Sequence, residues 1–276
     1  MPTAAARFFD AMAESDGELE PWYEHLYAVL HAILRAELAN PADGAGRALD
    51  AGCGTGLQTA LLADLGYRTH GIDVSVGALA VARRRRPGAA WLAGADVVAL
   101  PHRDGSFDVA VCCGSTLNFV DEPARAIAEI GRVLRPGGRL LLECEHRFSL
   151  DLAWALVGGL AGDALGYGAT ARQAWRHAVA SPRQGVWIDY PGYPPLRLAT
   201  RAELRTWLGA AGLAIVRTWA IHAVTNLIPS TVLHRPHLGR GLRAVFRALA
   251  AADRRVSRWR PVQSLASSLV LLARKI

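Results

Sequence analysis

Residues 47–56 read Arg47-Ala-Leu-Asp50-Ala-Gly52-Cys53-Gly54-Thr-Gly56, an apolar run that ends in glycine at every second position. Leu57, Ala60, Leu61 and Leu65 follow at helical spacing, so the stretch reads as strand, tight turn and helix. Glycines there let backbone N–H groups approach a ligand closely, and the helix N-terminus behind them favours negative charge. The next apolar run, 68–72, ends at Asp73, whose acceptor-only carboxylate can take both hydroxyls of a ribose. The chemistry predicted is recognition of a nucleoside-bearing ligand.

Two familiar phosphate-binding patterns do not fit. A dinucleotide fingerprint needs its third glycine three residues after the second, but here Gly56 follows Gly54 by two and position 57 is Leu. A phosphate loop needs Gly-Lys-Ser/Thr, and Lys275 is the only lysine in the chain. Asp50-x-Gly-x-Gly-x-Gly56 instead resembles the first motif of the class I S-adenosylmethionine (SAM) methyltransferases. Gly71-Ile-Asp73-Val74-Ser75 resembles that family's ribose-binding strand end, and Gly94-Ala-Asp96-Val97-Val-Ala-Leu-Pro101 its adenine-binding turn. Phe107–Cys112 and Leu134-Arg-Pro-Gly-Gly-Arg-Leu-Leu-Leu142 resemble its fourth strand and the turn into its fifth. The resemblance covers residues 47–146, roughly a third of the chain. It implies that Asp50, Gly52, Gly54 and Gly56 hold the methionine side of SAM, with Cys53 among the cofactor-binding residues. Asp73 would hold the ribose, Asp96 and Val97 the adenine, and Val74, Cys113 and Gly114 would be further cofactor-binding residues. The product would be S-adenosylhomocysteine.

The elements that position these residues alternate regularly. Strands near 47–51, 68–72, 90–93, 107–113 and 138–146 are separated by helices near 56–66, 76–86 and 122–134. Such alternation requires a parallel sheet with helices on both faces. Thr200-Arg-Ala-Glu203 is a capping box that opens another helix, Gly212 ends it, and 213–221 reads as a sixth strand. A last strand near 267–273 is, by the resemblance, antiparallel. The expected fold is therefore α/β: a Rossmann-like, seven-stranded, mostly parallel sheet with helices on both faces and an antiparallel last strand. Residues 47–148, 200–221 and 263–276 would form this core. Two helices near 3–14 and 21–39, within an N-terminal segment 1–46, and two insertions at 149–199 and 222–262 would converge over it as a lid. Asn40–Gly46 and Pro191–Pro195 read as loops.

Ligands of open parallel sheets bind beyond the carboxyl ends of the strands. Glu143, His146 and His222 are therefore candidate proton acceptors, histidine having an ordinary pKa of about 6.5. Ser115 and Asn118 after the fourth strand, with Tyr23 and Tyr27 one turn apart on a helix, are candidate substrate contacts.

A 51% hydrophobic content supports a filled core, and no apolar run reaches the roughly 18–20 residues of a membrane span. With no apolar signal core at the N-terminus, the expected location is cytoplasmic. The four cysteines lack paired metal-ligand spacing, and no metal is expected. The net charge of +7 is uneven: residues 1–150 carry −5 and residues 151–276 carry +12. Arg83–Arg86 reads as a solvated helix end, favourable for cations. A basic amphipathic helix near 239–256 sets Leu242, Val245, Phe246 and Leu249 beside Arg240, Arg243 and Arg247, and could meet an anionic membrane or an acidic carrier.

The function expected is methyl transfer from SAM to a small, partly apolar metabolite through an O, N, S or C acceptor. The alternatives are a nucleic-acid or protein methyltransferase using the basic half, and a non-catalytic SAM-binding protein. No nucleic-acid recognition module is apparent, which sets the first alternative behind.

Overall fold

A computed structural model describes residues 4–13, 20–39, 46–85, 88, 90–190 and 192–276. The ends of the first expected helix (Thr3 and Glu14), most of the expected loop at 40–46, Arg86 and Pro191 lie outside the described residues. In chain order the helices are α1 (Ala4–Ala13), α2 (Pro21–Leu38), α3 (Leu57–Asp64), α4 (Val76–Arg85), α5 (Pro123–Val133), α6 (Leu150–Leu160), α7 (Ala171–Val179), α8 (Arg201–Ala210), α9 (Ser230–Leu233), α10 (Arg240–Val256) and α11 (Arg260–Gln263). The strands are β1 (Arg47–Ala51), β2 (Arg68–Asp73), β3 (Ala90–Gly94), β4 (Phe107–Cys112), β5 (Leu134–Glu145), β6 (Val186–Ile188), β7 (Leu196–Leu198), β8 (Leu213–Ile221) and β9 (Ser268–Lys275).

Seven strands form one sheet in the order β3-β2-β1-β4-β5-β9-β8, and β6 and β7 make a separate hairpin. The pairs β1–β2, β2–β3, β1–β4 and β4–β5 are parallel, whereas β9 runs antiparallel to both neighbours. The strand order reverses between β1 and β4, which opens a crevice at their carboxyl ends. This is the Rossmann-like sheet expected from the alternation, with β5 beginning earlier than predicted, at Leu134.

Strand periodicity divides the core between two faces. Leu49, Ala110, Leu140 and Leu142 pack with Ile127, Ile130, Leu204 and Leu208 of α5 and α8. Ala48, Val109, Val111 and Leu141 pack with Leu26, Leu30 and Leu34 of α2 and Leu61 and Leu62 of α3. So α2 buries its apolar stripe on the sheet, and only its first turns reach above it. The Thr200 capping box is present, with Glu203 N–H donating to Thr200 Oγ1 at 3.2 Å and Thr200 N–H to Glu203 Oε2 at 3.0 Å.

A candidate cofactor and acceptor cavity

One cavity of about 930 Å³ lies over the carboxyl ends of the central strands. Its floor is the loop after β1. Gly52 and Cys53 N–H both donate to Ile72 O, at 2.9 and 2.8 Å, which folds the chain back over β2. Gly52 has φ +79°, and a Cβ there would lie 2.3 Å from Thr116 Cγ2. Gly54 has φ +51°, but a Cβ there would meet open space at the cavity wall. The two glycines therefore serve different needs. Gly52→Ala should lower the melting temperature and destroy binding together, because it collides with Thr116. Gly54→Ala should leave circular dichroism native, costing about 1–2 kcal/mol for its left-handed backbone, while weakening the cofactor; calorimetric titration checks this.

Asp73 ties the loops together. Gly54 N–H donates to Oδ2 and Ser75 N–H to Oδ1, each at 2.8 Å. Each oxygen keeps a lone pair for the cavity it lines. Burial raises this carboxyl against the lowering effect of those N–H groups. Asp10 on α1, not singled out in the sequence, accepts from Ser75 Oγ at 2.6 Å and Gly77 N–H at 2.8 Å. These bonds lower its pKa and fasten α1 to the start of α4, so Phe9 and Met12 reach the cavity. Val74, Asp96, Val97, Cys113 and Gly114 also line it.

Two members of the first motif lie elsewhere. Asp50 is buried, accepts from Thr59 Oγ1 at 2.5 Å, and its carboxyl is pushed up to about 7 by burial. Gly56 caps α3 in a left-handed conformation against Ala82. Neither lines the cavity. The thiols of Cys53 and Cys113 are driven up by burial, so neither is a ready nucleophile.

At the other end of the cavity are Tyr23, Tyr27, Tyr190, Tyr193 and Glu145. Tyr23 and Tyr193 hydroxyls are 3.1 Å apart, joining α2 to the insertion after β5. Glu145 accepts from Ser115 Oγ at 2.8 Å, and burial, with Glu143 nearby, pushes its carboxyl up to about 7. That makes Glu145 the best-matched proton acceptor in the cavity for neutral pH. Spacing alone does not separate it from Glu143, two residues earlier on the same face of the same strand.

The expected proton acceptors separate under the geometry. Glu143 is fully buried outside the cavity, accepting from Ser115 N–H at 2.7 Å and from Ser268 Oγ. His222 is a correction: it is stacked on Trp22 with ring centres 3.7 Å apart, bonded to Thr225 Oγ1 at 2.9 Å, and away from the cavity. Burial and the neighbouring His25 and His234 drive its pKa far down. His146 does line the cavity, but burial lowers its imidazole to about 4, leaving a weak base. Ser115 faces the cavity. Asn118 does not; it fixes the end of β5, accepting from Glu145 N–H at 3.0 Å and donating to Glu145 O and Arg197 O.

A family model described as a methyltransferase domain matches residues 49–142, from the floor of the cavity to β5. Residues 49–142 are thus similar to a methyltransferase domain. Around this domain the chain is 45% identical over 96 residues to a demethylmenaquinone methyltransferase of Renibacterium salmoninarum, covering 35% of this chain and 40% of that protein. It is 36% identical over 116 residues to a malonyl-[acyl-carrier protein] O-methyltransferase of Serratia marcescens, covering 40% of this chain and 44% of that one. The match thus spans about two fifths of the length of these relatives. In three dimensions the methyltransferase domain and its insertions are similar to the [4+2]-cyclase SpnF, with a TM-score of 0.57 and 24% identity over 95% of this chain and 85% of that one. They are similar also to a Burkholderia thailandensis 1,6-didemethyltoxoflavin-N1-methyltransferase bound to S-adenosylhomocysteine, with a TM-score of 0.53 and 18% identity over 100% and 92% of the two chains.

Proposed function

We propose that this chain transfers a methyl group from SAM to a small, partly apolar metabolite held beneath α1, α2 and the two insertions, with Glu145 accepting the acceptor's proton. The observation that carries this reading is the continuity of the cavity, from Gly54, Asp73 and Asp96 at one end to Glu145 and the tyrosines at the other. The residues present fit the cofactor: Asp73 has unused lone pairs, Gly54 leaves room where a side chain would stand, and Asp96 and Val97 line the same wall.

Bound SAM supplies an electrophilic methyl group. The protein's share is alignment and proton removal. Ser115 and Asn118 fix the carboxylate end of β5, and Tyr23, Tyr190 and Tyr193 form an amphipathic wall for a ring-bearing acceptor. The relatives' names include a quinone and a carrier-bound malonyl group, so the acceptor atom is left open.

Asp73→Ala should weaken SAM at least tenfold, since charge-assisted hydrogen bonds contribute about 1.5–3 kcal/mol each. Asp73→Asn, which keeps one acceptor oxygen, should fall between; calorimetric titration reads both. Formation of S-adenosylhomocysteine against a metabolite panel and an RNA panel tests the activity. Turnover with RNA alone would favour the nucleic-acid alternative, and binding without turnover the non-catalytic one.

No helix among the described residues is long and apolar enough to cross a membrane. Four buried free thiols support a reducing, cytoplasmic setting. A peripheral contact through α10 falls to its outward half alone. Leu242 and Val245 are exposed beside Arg240 and Arg247, while Phe246 and Leu249 pack with Trp22 and Leu233, and Arg243 lies 3.6 Å from Glu24.

A further inference from the structure

Away from the cavity, β8 is one of the two edges of the sheet. The segment after α10 crosses it: Ala220 N–H donates to Ser257 O at 2.7 Å, and Gln263 Nε2 donates to Thr218 O at 2.8 Å. Covering an edge in this way satisfies backbone groups that would otherwise attract another strand. Beside the crossing is a groove of about 510 Å³ whose walls are Arg201 and Arg205 of α8, Arg217 of β8, and Arg258 and Arg260. Its floor is apolar, with Leu269 and Leu271 of β9.

Arg217 pairs with Glu37 at 2.5 Å. Among the described residues no carboxylate pairs with Arg201, Arg205, Arg258 or Arg260. Within those residues Arg201 is held only by neutral groups, donating to Ser264 Oγ and Gln263 Oε1 at 3.4 Å, and burial, then the charges of Arg205 and Arg260, lower its pKa. The acidic residues close in sequence are engaged elsewhere. Glu203 binds Arg197, and Asp253 is buried on His25 and on the N–H groups of residues 222–224.

An apolar component accompanies the charge. Trp259, between Arg258 and Arg260, is 63% exposed, Leu265 is 52% exposed and Val216 on the edge strand 54%. Arg254 and Arg255 extend the basic surface from the last turn of α10. A soluble phosphate compound would account for the groove but leave Trp259 and Leu265 unexplained outside it. An exposed indole and leucine set among unpaired arginines match the depth profile of a lipid interface, where indole lies at the headgroups and guanidinium meets phosphate.

We propose that this face, formed by the arginine groove and residues 254–265, docks on a bilayer containing anionic phospholipid. Lipid phosphates would occupy the groove, and Trp259 and Leu265 would enter the headgroup layer. The contact is separate from the transfer reaction. It sets beside the membrane a segment whose Ser267, two residues beyond Leu265, lines the cavity.

The test is co-sedimentation of the full chain at low salt with phosphatidylcholine vesicles, with and without phosphatidylglycerol. Binding is expected only with the anionic lipid and should fade with added salt. Arg258→Glu with Arg260→Glu should cut the bound fraction at least tenfold, and Trp259→Ser severalfold. Both lie at the surface, and circular dichroism checks their fold; Arg258→Gln with Arg260→Gln serves if the reversal misfolds. Arg172→Glu with Arg176→Glu, the same charge change on α7, should leave binding within twofold. The proposal is overturned if the native chain ignores anionic vesicles at low salt, or if the α7 reversal weakens binding equally. It is overturned too if single-stranded RNA binds through these arginines while vesicles do not. None of these outcomes depends on methyl transfer.

Discussion

Glu145→Gln should lower kcat by roughly 10²–10⁴-fold, the span of general acid–base catalysis, while SAM affinity stays within about twofold. Gln keeps the acceptor oxygen for Ser115 Oγ, so the loop after β4 should hold its place. With the Glu145 carboxyl at about 7, only the ionised form can take a proton, so kcat/KM of the native chain should climb about tenfold per pH unit below 7 and level off above it. The Gln variant should show a flat profile across that range. Stability should move the opposite way. The folded pKa lies above the ordinary glutamate value of 4.5, so the fold binds more protons than the unfolded chain between about 4.5 and 7, and Glu145 costs stability as pH rises through that window. Glu145→Gln should therefore raise the melting temperature at pH 8 and have little effect at pH 4. His146→Ala should leave the pH profile in place. A Gln variant with undiminished kcat would remove Glu145 from the chemistry and point to an acceptor that needs no base.

Arg147→Met should loosen the first insertion while sparing the sheet. Arg147 is among the largest fully buried side chains, and its guanidinium donates to Ser181 O and Gln184 O at 2.6 Å, to Ala180 O at 2.9 Å and to His177 O. These carbonyls include the last turn of α7 and the chain beyond it, where a cation is also favoured by the helix dipole. Methionine offers these four carbonyls no donor, and with Ser181 and Gln184 already at the surface they regain hydrogen bonds from water most readily by local opening. Hydrogen exchange should accelerate across residues 171–190, and trypsin should cut sooner at the exposed Arg176 and Arg183. The acceptor KM should rise at least tenfold because Trp187 and Tyr190 line the cavity, with SAM affinity changed little. Arg147→Lys should lie between, since an ammonium has three donors and cannot span the same four oxygens. Unchanged exchange in the Met variant would show that the insertion stands without this anchor.

What the sequence determined by itself follows from short spacing. The βα alternation, the three-glycine turn, Asp73 at the end of β2 and the Thr200 capping box depend on neighbours within a few residues, so their residue types dictate their backbone. Roles decided by distant partners were not legible. Glu143 and Glu145 stand two apart on one strand, and alternation cannot separate them. Glu143 is opposite Val270 inside the ladder, whereas Glu145 is at the strand's end, opposite Ser268, where the cavity begins. His146 and His222 each follow a strand, yet His222 is stacked on Trp22 of α2 and bonded to Thr225, away from the cavity. Asp10 gains its role through Ser75 and Gly77, more than sixty residues away, and Arg147 through carbonyls thirty or more residues on. A side chain's proton affinity and reach depend on what buries it, and burial across such separations is fixed only when the tertiary structure closes.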